Sequence, residues 1–223
     1  MEITRQMMRE ALRYIGIPLN QENEEIVSKV DATYKFLEKL ASPKLISKEF
    51  MLIRQENKIG FEGTTLMLES KDLYKLFMHC EKVYILAATL GQEVDRQIRL
   101  KQKLDMLDAL VLDACASVWV DKLCDEWEQD RIESLGEGQF LTKRFSPGYG
   151  DVPLACQGDL LAILNAGRHI GLSLTKTQML LPTKSITAFI GISNQKEKRE
   201  KTCSTCSLVR SCIYRRRGEK CGL

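Results

Sequence analysis

The sequence predicts an α+β protein, a largely antiparallel sheet packed with helices. Three observations predict it. Helical repeats and β-branched runs follow one another without regular βαβ alternation. Two strand-like runs, LISKEFMLIRQ and KIGFEGTTLMLES, stand close together with only Glu56 and Asn57 between them. The chain has 223 residues, 44% hydrophobic and 28% charged, enough to bury a real core.

The elements follow in order. Ile3, Met7, Met8, Leu12 and Ile15 recur at helical spacing, so residues 3–15 are expected as a helix. Gly16 can end it and Pro18 cannot continue it. Asn23 can cap a second helix with the stripe Ile26, Val30, Tyr34, Leu37 and Leu40. Residues 45–55 and 58–69 follow as strands, and Ser70 can cap the helix KDLYKLFMHC. KVYILAATLG reads as a buried strand, 82–89, ending at Gly91 before EVDRQIRL turns helical. Residues 104–133 form the longest helical stretch, apolar enough in its first two-thirds for a central position. Asp105, Asp108, Asp113 and Asp121 punctuate that stretch and are expected on its edge or exposed face. GEGQ at 136–139 is a loop and FLTKRF a strand. ACQGDLLAILNAGRHIG is read as one helix closed by Gly167 or Gly171, SLTKTQMLLPTK as a connector, and SITAFIGIS as a strand.

No apolar run approaches the ~20 residues of a membrane helix. The N-terminal segment carries charges throughout, unlike a signal peptide, so a cytoplasmic protein is expected. The net charge of +3 hides an asymmetry. Residues 196–223 hold nine Lys/Arg against three Glu, +6, which leaves −3 on residues 1–195. The expected organisation is therefore a domain over 1–195 and a basic Cys-rich tail over 196–223. Such a tail suits an acidic partner or stands solvated.

Four of eight cysteines lie in that tail: Cys203, Cys206, Cys212 and Cys221. The C-x2 spacing of the first pair lets two thiolates reach one metal, and four thiolates complete a Zn site or a small Fe–S cluster. The spacing matches no standard ferredoxin run, so zinc, an Fe–S cluster and an unmetallated tail all stay open. Cys80, Cys115, Cys124 and Cys156 stand among apolar neighbours and are expected as small core residues.

The stretch RFSPGYGDVPL, 144–154, concentrates two prolines and two glycines beside Arg144 and Tyr149. Pro147 fixes φ, and Gly148 and Gly150 permit positive φ and close backbone approach. Arg144 offers a planar fork for a carboxylate or phosphate, and Tyr149 a ring and a hydroxyl. The set suits a zwitterionic or anionic small molecule with a flat part; a plain strand-to-helix turn is the alternative. Asp151 is expected either on a ribose hydroxyl or within the turn, and His169 in a capping or surface role.

The R-x-x-P-G-Y core, the G-x-x-L-T about twenty residues on, and the P-x-K-S strand entry resemble the activation region of cobalamin-dependent methionine synthase. They resemble still more its short free-standing relatives, as do EVDRQ after AATLG and the ALRYIG opening. The resemblance covers roughly residues 1–193 and is most specific over 144–193. It implies the activation-domain fold and S-adenosylmethionine binding in support of reductive methylation of cob(II)alamin. By matching position Arg144 would hold the methionyl carboxylate, Ser146 and Gly148 would touch the ligand through backbone, and Tyr149 would stand beside the sulfonium. It implies as partners a separate corrinoid protein or methionine synthase catalytic chain, which carries the cobalamin, and flavodoxin or ferredoxin as electron donor. No proton-transferring side chain is needed, because reduced cobalt is the nucleophile. The long enzymes' acidic-His segment is replaced here by LACQGD, and neither an upstream acidic contact nor a later tyrosine has a clear match. A non-catalytic docking module for a corrinoid protein is the second reading. A metal-binding nucleic-acid module, resting on the tail alone, is the third.

Overall fold

The structure is a computed structural model that describes residues 3–17, 24–196 and Arg216. The six-stranded sheet has the order β3 (Met67–Glu69), β2 (Lys58–Phe61), β1 (Lys44–Gln55), β4 (Cys80–Thr89), β8 (Ser185–Ser193), β5 (Phe140–Leu141), every pairing antiparallel. Its centre is β1, β4 and β8. Period-two alternation explains how β4 serves two cores. Leu86 and Ala88 face one side; Val83, Ile85 and Ala87 face the other, and all five are buried. Ala188, Ile190 and Ile192 of β8 join the first core and Phe189 the second.

Over the first face lie α1 (Arg5–Ile15), α2 (Glu24–Leu40), α4 (Gln92–Leu104) and α5 (Met106–Ser134). Thr4 caps α1 by accepting from the Met7 amide, and Gly16 ends it. The 29 residues of α5 span about 43 Å. Val111, Leu112, Cys115, Val118, Trp119 and Cys124 bury its core side. The opposite face is covered by α3 (Lys71–Leu76), α6 (Gln157–Leu164) and α7 (Ala166–Ile170), with β2 (Lys58–Phe61) and β3 (Met67–Glu69) extending the sheet edge. Gly191 is required there: a Cβ would stand 2.6 Å from Cys80 Sγ and 2.8 Å from the Phe77 ring.

Several expectations shift. The run 58–69 is two strands, because residues 62–66 turn between them. Ser70 does cap α3, accepting from the Leu73 amide, but the helix stops at Leu76 and Cys80 already opens β4. Asp105 is no helix residue. Its extended backbone separates α4 from α5 and its carboxylate accepts from the Leu107 and Asp108 amides. FLTKRF supplies only β5 (Phe140–Leu141), plus an isolated bridge between Phe145 and Phe189. The expected single helix is a 3-10 turn, Leu154–Cys156, running into α6, which Asn165, at φ 51°, separates from α7. The expected connector contains a small hairpin, β6 (Ser173–Leu174) with β7 (Leu180–Leu181). Pro18, Asn23 and the four tail cysteines lie outside the described residues.

Among the described residues no helix is long and apolar enough to cross a membrane. Cys80, Cys115, Cys124 and Cys156 are free and buried, as expected. Burial pushes the thiols of Cys115 and Cys124 up to about 12 and that of Cys156 to about 11, so they stand as inert core residues. No group of three His, Cys, Asp or Glu among the described residues could hold a metal ion.

Candidate functional site

A cleft of about 550 Å³ opens between α5, the 143–149 loop and the entry to β8. Arg144, Ser146 and Tyr149 line it; Gly148 does not. Three of the four ligand residues read from the sequence are therefore brought together, and the fourth shapes the loop behind them.

The loop is tied from within and from α3. Gly148 N donates to Val152 O at 3.0 Å, and Val152 N to Tyr149 O at 3.1 Å. Phe145 exchanges two backbone bonds with Phe189 of β8, fixing the loop to the sheet. Asp151 closes the frame at the start of α3, accepting from the Ser70 hydroxyl and from the Lys71 amide at 2.7 Å. The Asp151 amide in turn donates to Asp72 Oδ2 at 3.2 Å. Burial alone would raise the Asp151 carboxyl, but the bonds from Ser70, Lys71 and Asp72 outweigh it and hold the group below its ordinary value. Of its two expected roles, Asp151 therefore takes the one within the turn. Gly150 is at φ +54°, and a Cβ there would meet Asp72 Oδ2 at 2.1 Å. The turn holds Tyr149 70% exposed at the cleft.

Arg144 is mostly buried and faces three carboxylates of α5. Its Nη1 is 2.8 Å from Glu128 Oε1; its Nη2 is 2.7 Å from Asp125 Oδ1 and 3.8 Å from Asp121 Oδ1. Burial opposes its charge, but Glu128 and Asp125 outweigh it, so the guanidinium stays fully ionised. Of the three, Asp121 lines the cleft, as does Lys143, while Asp125 and Glu128 hold the guanidinium from behind the lining. Burial, with Asp125 adding to it, pushes the Asp121 carboxyl up despite the pull of Arg144. Residues 121, 125 and 128 share one helix face. That spacing is legible in the sequence, yet only Asp121 was singled out from it.

The other wall carries Lys184, which the sequence reading missed as a site residue. Its Nζ is 2.8 Å from Asp113 Oδ1 and 3.0 Å from Ser117 Oγ. Asp95, from the EVDRQ segment, sets this wall: it accepts from Thr183 N at 2.6 Å and from Thr183 Oγ1 at 2.9 Å. Ser185 adds bonds to Thr89 and to the Pro182 carbonyl. The P-x-K-S segment is thus pinned by α4 and β4. Gln157 and Thr187, both buried, are bonded to each other in the cleft lining, Thr187 Oγ1 donating to Gln157 Oε1 at 3.1 Å. His169 is exposed in the last turn of α7, and His79 is exposed beside β4.

No family model matches the sequence, and no curated protein does. Among solved structures, the fold matches the crystal structure of the MetH reactivation domain bound to AdoHcy. The match covers 99% of this chain and 85% of that one at a TM-score of 0.63, with 14% identity. The architecture is that of the MetH reactivation domain, as the motif resemblance implied.

Proposed function

We propose that the chain binds S-adenosylmethionine in the cleft beside Arg144 and supports reductive methylation of cob(II)alamin on a separate corrinoid methyltransferase, such as a split methionine synthase. One observation carries the reading. The cleft is lined by Arg144 and Asp121, with Asp125 and Glu128 holding the guanidinium from α5, in a fold whose solved counterpart is bound to AdoHcy. The ligand's head is a carboxylate, an ammonium and a sulfonium. Arg144 meets the carboxylate with the N–H donors that Glu128 and Asp125 leave over, and Asp121 on the cleft lining suits the cations. Ser146 offers backbone, Gly148 shapes the loop behind it, and the exposed Tyr149 ring stands beside the sulfonium, whose charge favours a π face.

The chain's residues orient the methyl group; they transfer no proton. The partner's corrinoid is the substrate: with one electron from flavodoxin or ferredoxin its cobalt accepts the methyl, the S–CH3 bond breaks, and S-adenosylhomocysteine leaves. The four tail cysteines, as a zinc or Fe–S site, remain a proposal that lies outside the described residues.

A second reading, a docking module without methyl transfer, is favoured by one surface. Leu100, Leu104, Met106, Leu107 and Leu110 form an exposed apolar corner where α4 meets α5. Irradiation of the purified chain with methyl-labelled S-adenosylmethionine separates the two. Label on peptides spanning 143–150 supports the first; a chain that takes up no label favours the second.

A further inference from the structure

We infer that the Lys184 end of the cleft is the nucleoside subsite, and that Lys184 itself reads an acceptor atom of the ligand's adenine or ribose. The inference rests on the S-adenosylmethionine reading and assigns the half of the ligand that Arg144 does not reach.

The two ends differ in charge. At the Arg144 end a carboxylate, Asp121, lines the cleft and gives the cationic head an anion to face; at the other end Asp113 lies behind Lys184 and is no part of the lining. Lys184 is balanced by Asp113 alone, so its end is close to neutral. A sulfonium placed there would be repelled by the ammonium; a neutral heterocycle would not. The ends are also suitably spaced. Lys184 bonds to Ser117 and Arg144 approaches Asp121, residues one turn apart on α5 and so about 6 Å apart along its axis. A ligand lying along α5 meets one cation with its head and the other with its nucleoside.

Lys184 is built for such a contact. Its side chain is 13% exposed, and its ammonium carries three donors. Asp113 and Ser117 take two, leaving one for an occupant of the cleft. Gln157 likewise spends one amide hydrogen on the Gln178 carbonyl and keeps a second. Val120, Ile186 and Leu180 supply apolar walls for a flat ring. Asp95, through Thr183, fixes the backbone one residue before Lys184 and is a positioning residue for it.

The test is a cycle between protein and ligand. S-adenosylhomocysteine and its 1-deaza, 3-deaza, 7-deaza, 2′-deoxy and 3′-deoxy analogues are titrated calorimetrically into wild type and Lys184→Met. The wild type is expected to bind one analogue about tenfold more weakly than the parent, and Lys184→Met to bind all of them alike. Which analogue loses affinity tells ring nitrogen from ribose oxygen. A Lys184→Met chain as selective as wild type overturns the inference, whatever its affinity for the parent. A wild type that binds no S-adenosylhomocysteine or S-adenosylmethionine strikes the ligand reading itself, and this inference with it. Lys184→Arg keeps the charge facing Asp113, and changed selectivity is expected there too; it decides the matter should the methionine variant fail to fold.

Discussion

Asp95→Ala tests how the cleft is held together. Asp95 is 5% exposed and no part of the ligand's expected contacts. Its carboxylate accepts from the Thr183 amide at 2.6 Å and the Thr183 hydroxyl at 2.9 Å, so it clamps α4 to the entry of β8. Hydrogen bonds to a charged group contribute ~1.5–3 kcal/mol each when buried. Thr183 itself is exposed, and water will recover part of the loss. We therefore take the low end for both bonds, a net cost of about 3 kcal/mol. For a domain of this size each kcal/mol lowers Tm by about 2–4 °C, so the variant should melt about 6–12 °C below wild type. Thermal denaturation followed by circular dichroism reads it directly. Asp95→Asn, which keeps one acceptor, should fall between the two. An Asp95→Ala chain melting within about 2 °C of wild type would refute the clamp, and with it the account of how Lys184 is positioned.

Three further predictions follow the same logic. Gly150→Ala forces an L-residue to φ +54° and drives a Cβ against Asp72 Oδ2; we expect a loss of about 2–3 kcal/mol, and a denaturant midpoint equal to wild type would contradict it. Asp108 is held below its ordinary value by bonds from Lys101 and then Lys29, and Asp151 by those described above. A depressed carboxyl contributes stability above its unfolded value near pH 4 that is lost as pH falls through the folded one. Tm should therefore drop on acidification below about pH 4, and the drop should shrink in Asp108→Asn; equal slopes would argue against the assignment. Metal analysis of the anaerobically purified chain should find stoichiometric zinc or iron at Cys203, Cys206, Cys212 and Cys221; zinc without iron removes the Fe–S form, and no metal removes both.

The sequence carried the fold class because the period-two and period-3.6 patterns are local. Leu86, Ala88, Val83 and Ile85 read as a buried strand from neighbours alone, and Ser70 caps its helix as expected, whereas Thr4, expected inside the first helix, is its N-cap. The misplaced boundaries lie where one residue overrode a pattern. Asn165 breaks a continuous helical stripe by adopting positive φ, and Asp105 separates α4 from α5 while keeping the hydrophobic period nearly unbroken. The site divides the same way. Arg144, Ser146 and Tyr149 stand in one short segment and were legible together. Lys184 gains meaning only through Asp113 and Ser117, 71 and 67 positions away, and Asp95 only through Thr183, 88 positions away. No local pattern encodes those pairings.

The central claim is that Arg144 anchors an S-adenosylmethionine site. Its most direct test is calorimetric titration of the purified chain with S-adenosylmethionine, beside Arg144→Ala whose folding has been checked by its melt. Saturable binding by wild type, weakened at least about 30-fold in the variant through loss of a charge-assisted bond of about 2 kcal/mol or more, is the predicted result. Equal affinity in both proteins would remove Arg144 from the site. No binding by wild type would contradict the ligand assignment and leave the docking reading in front.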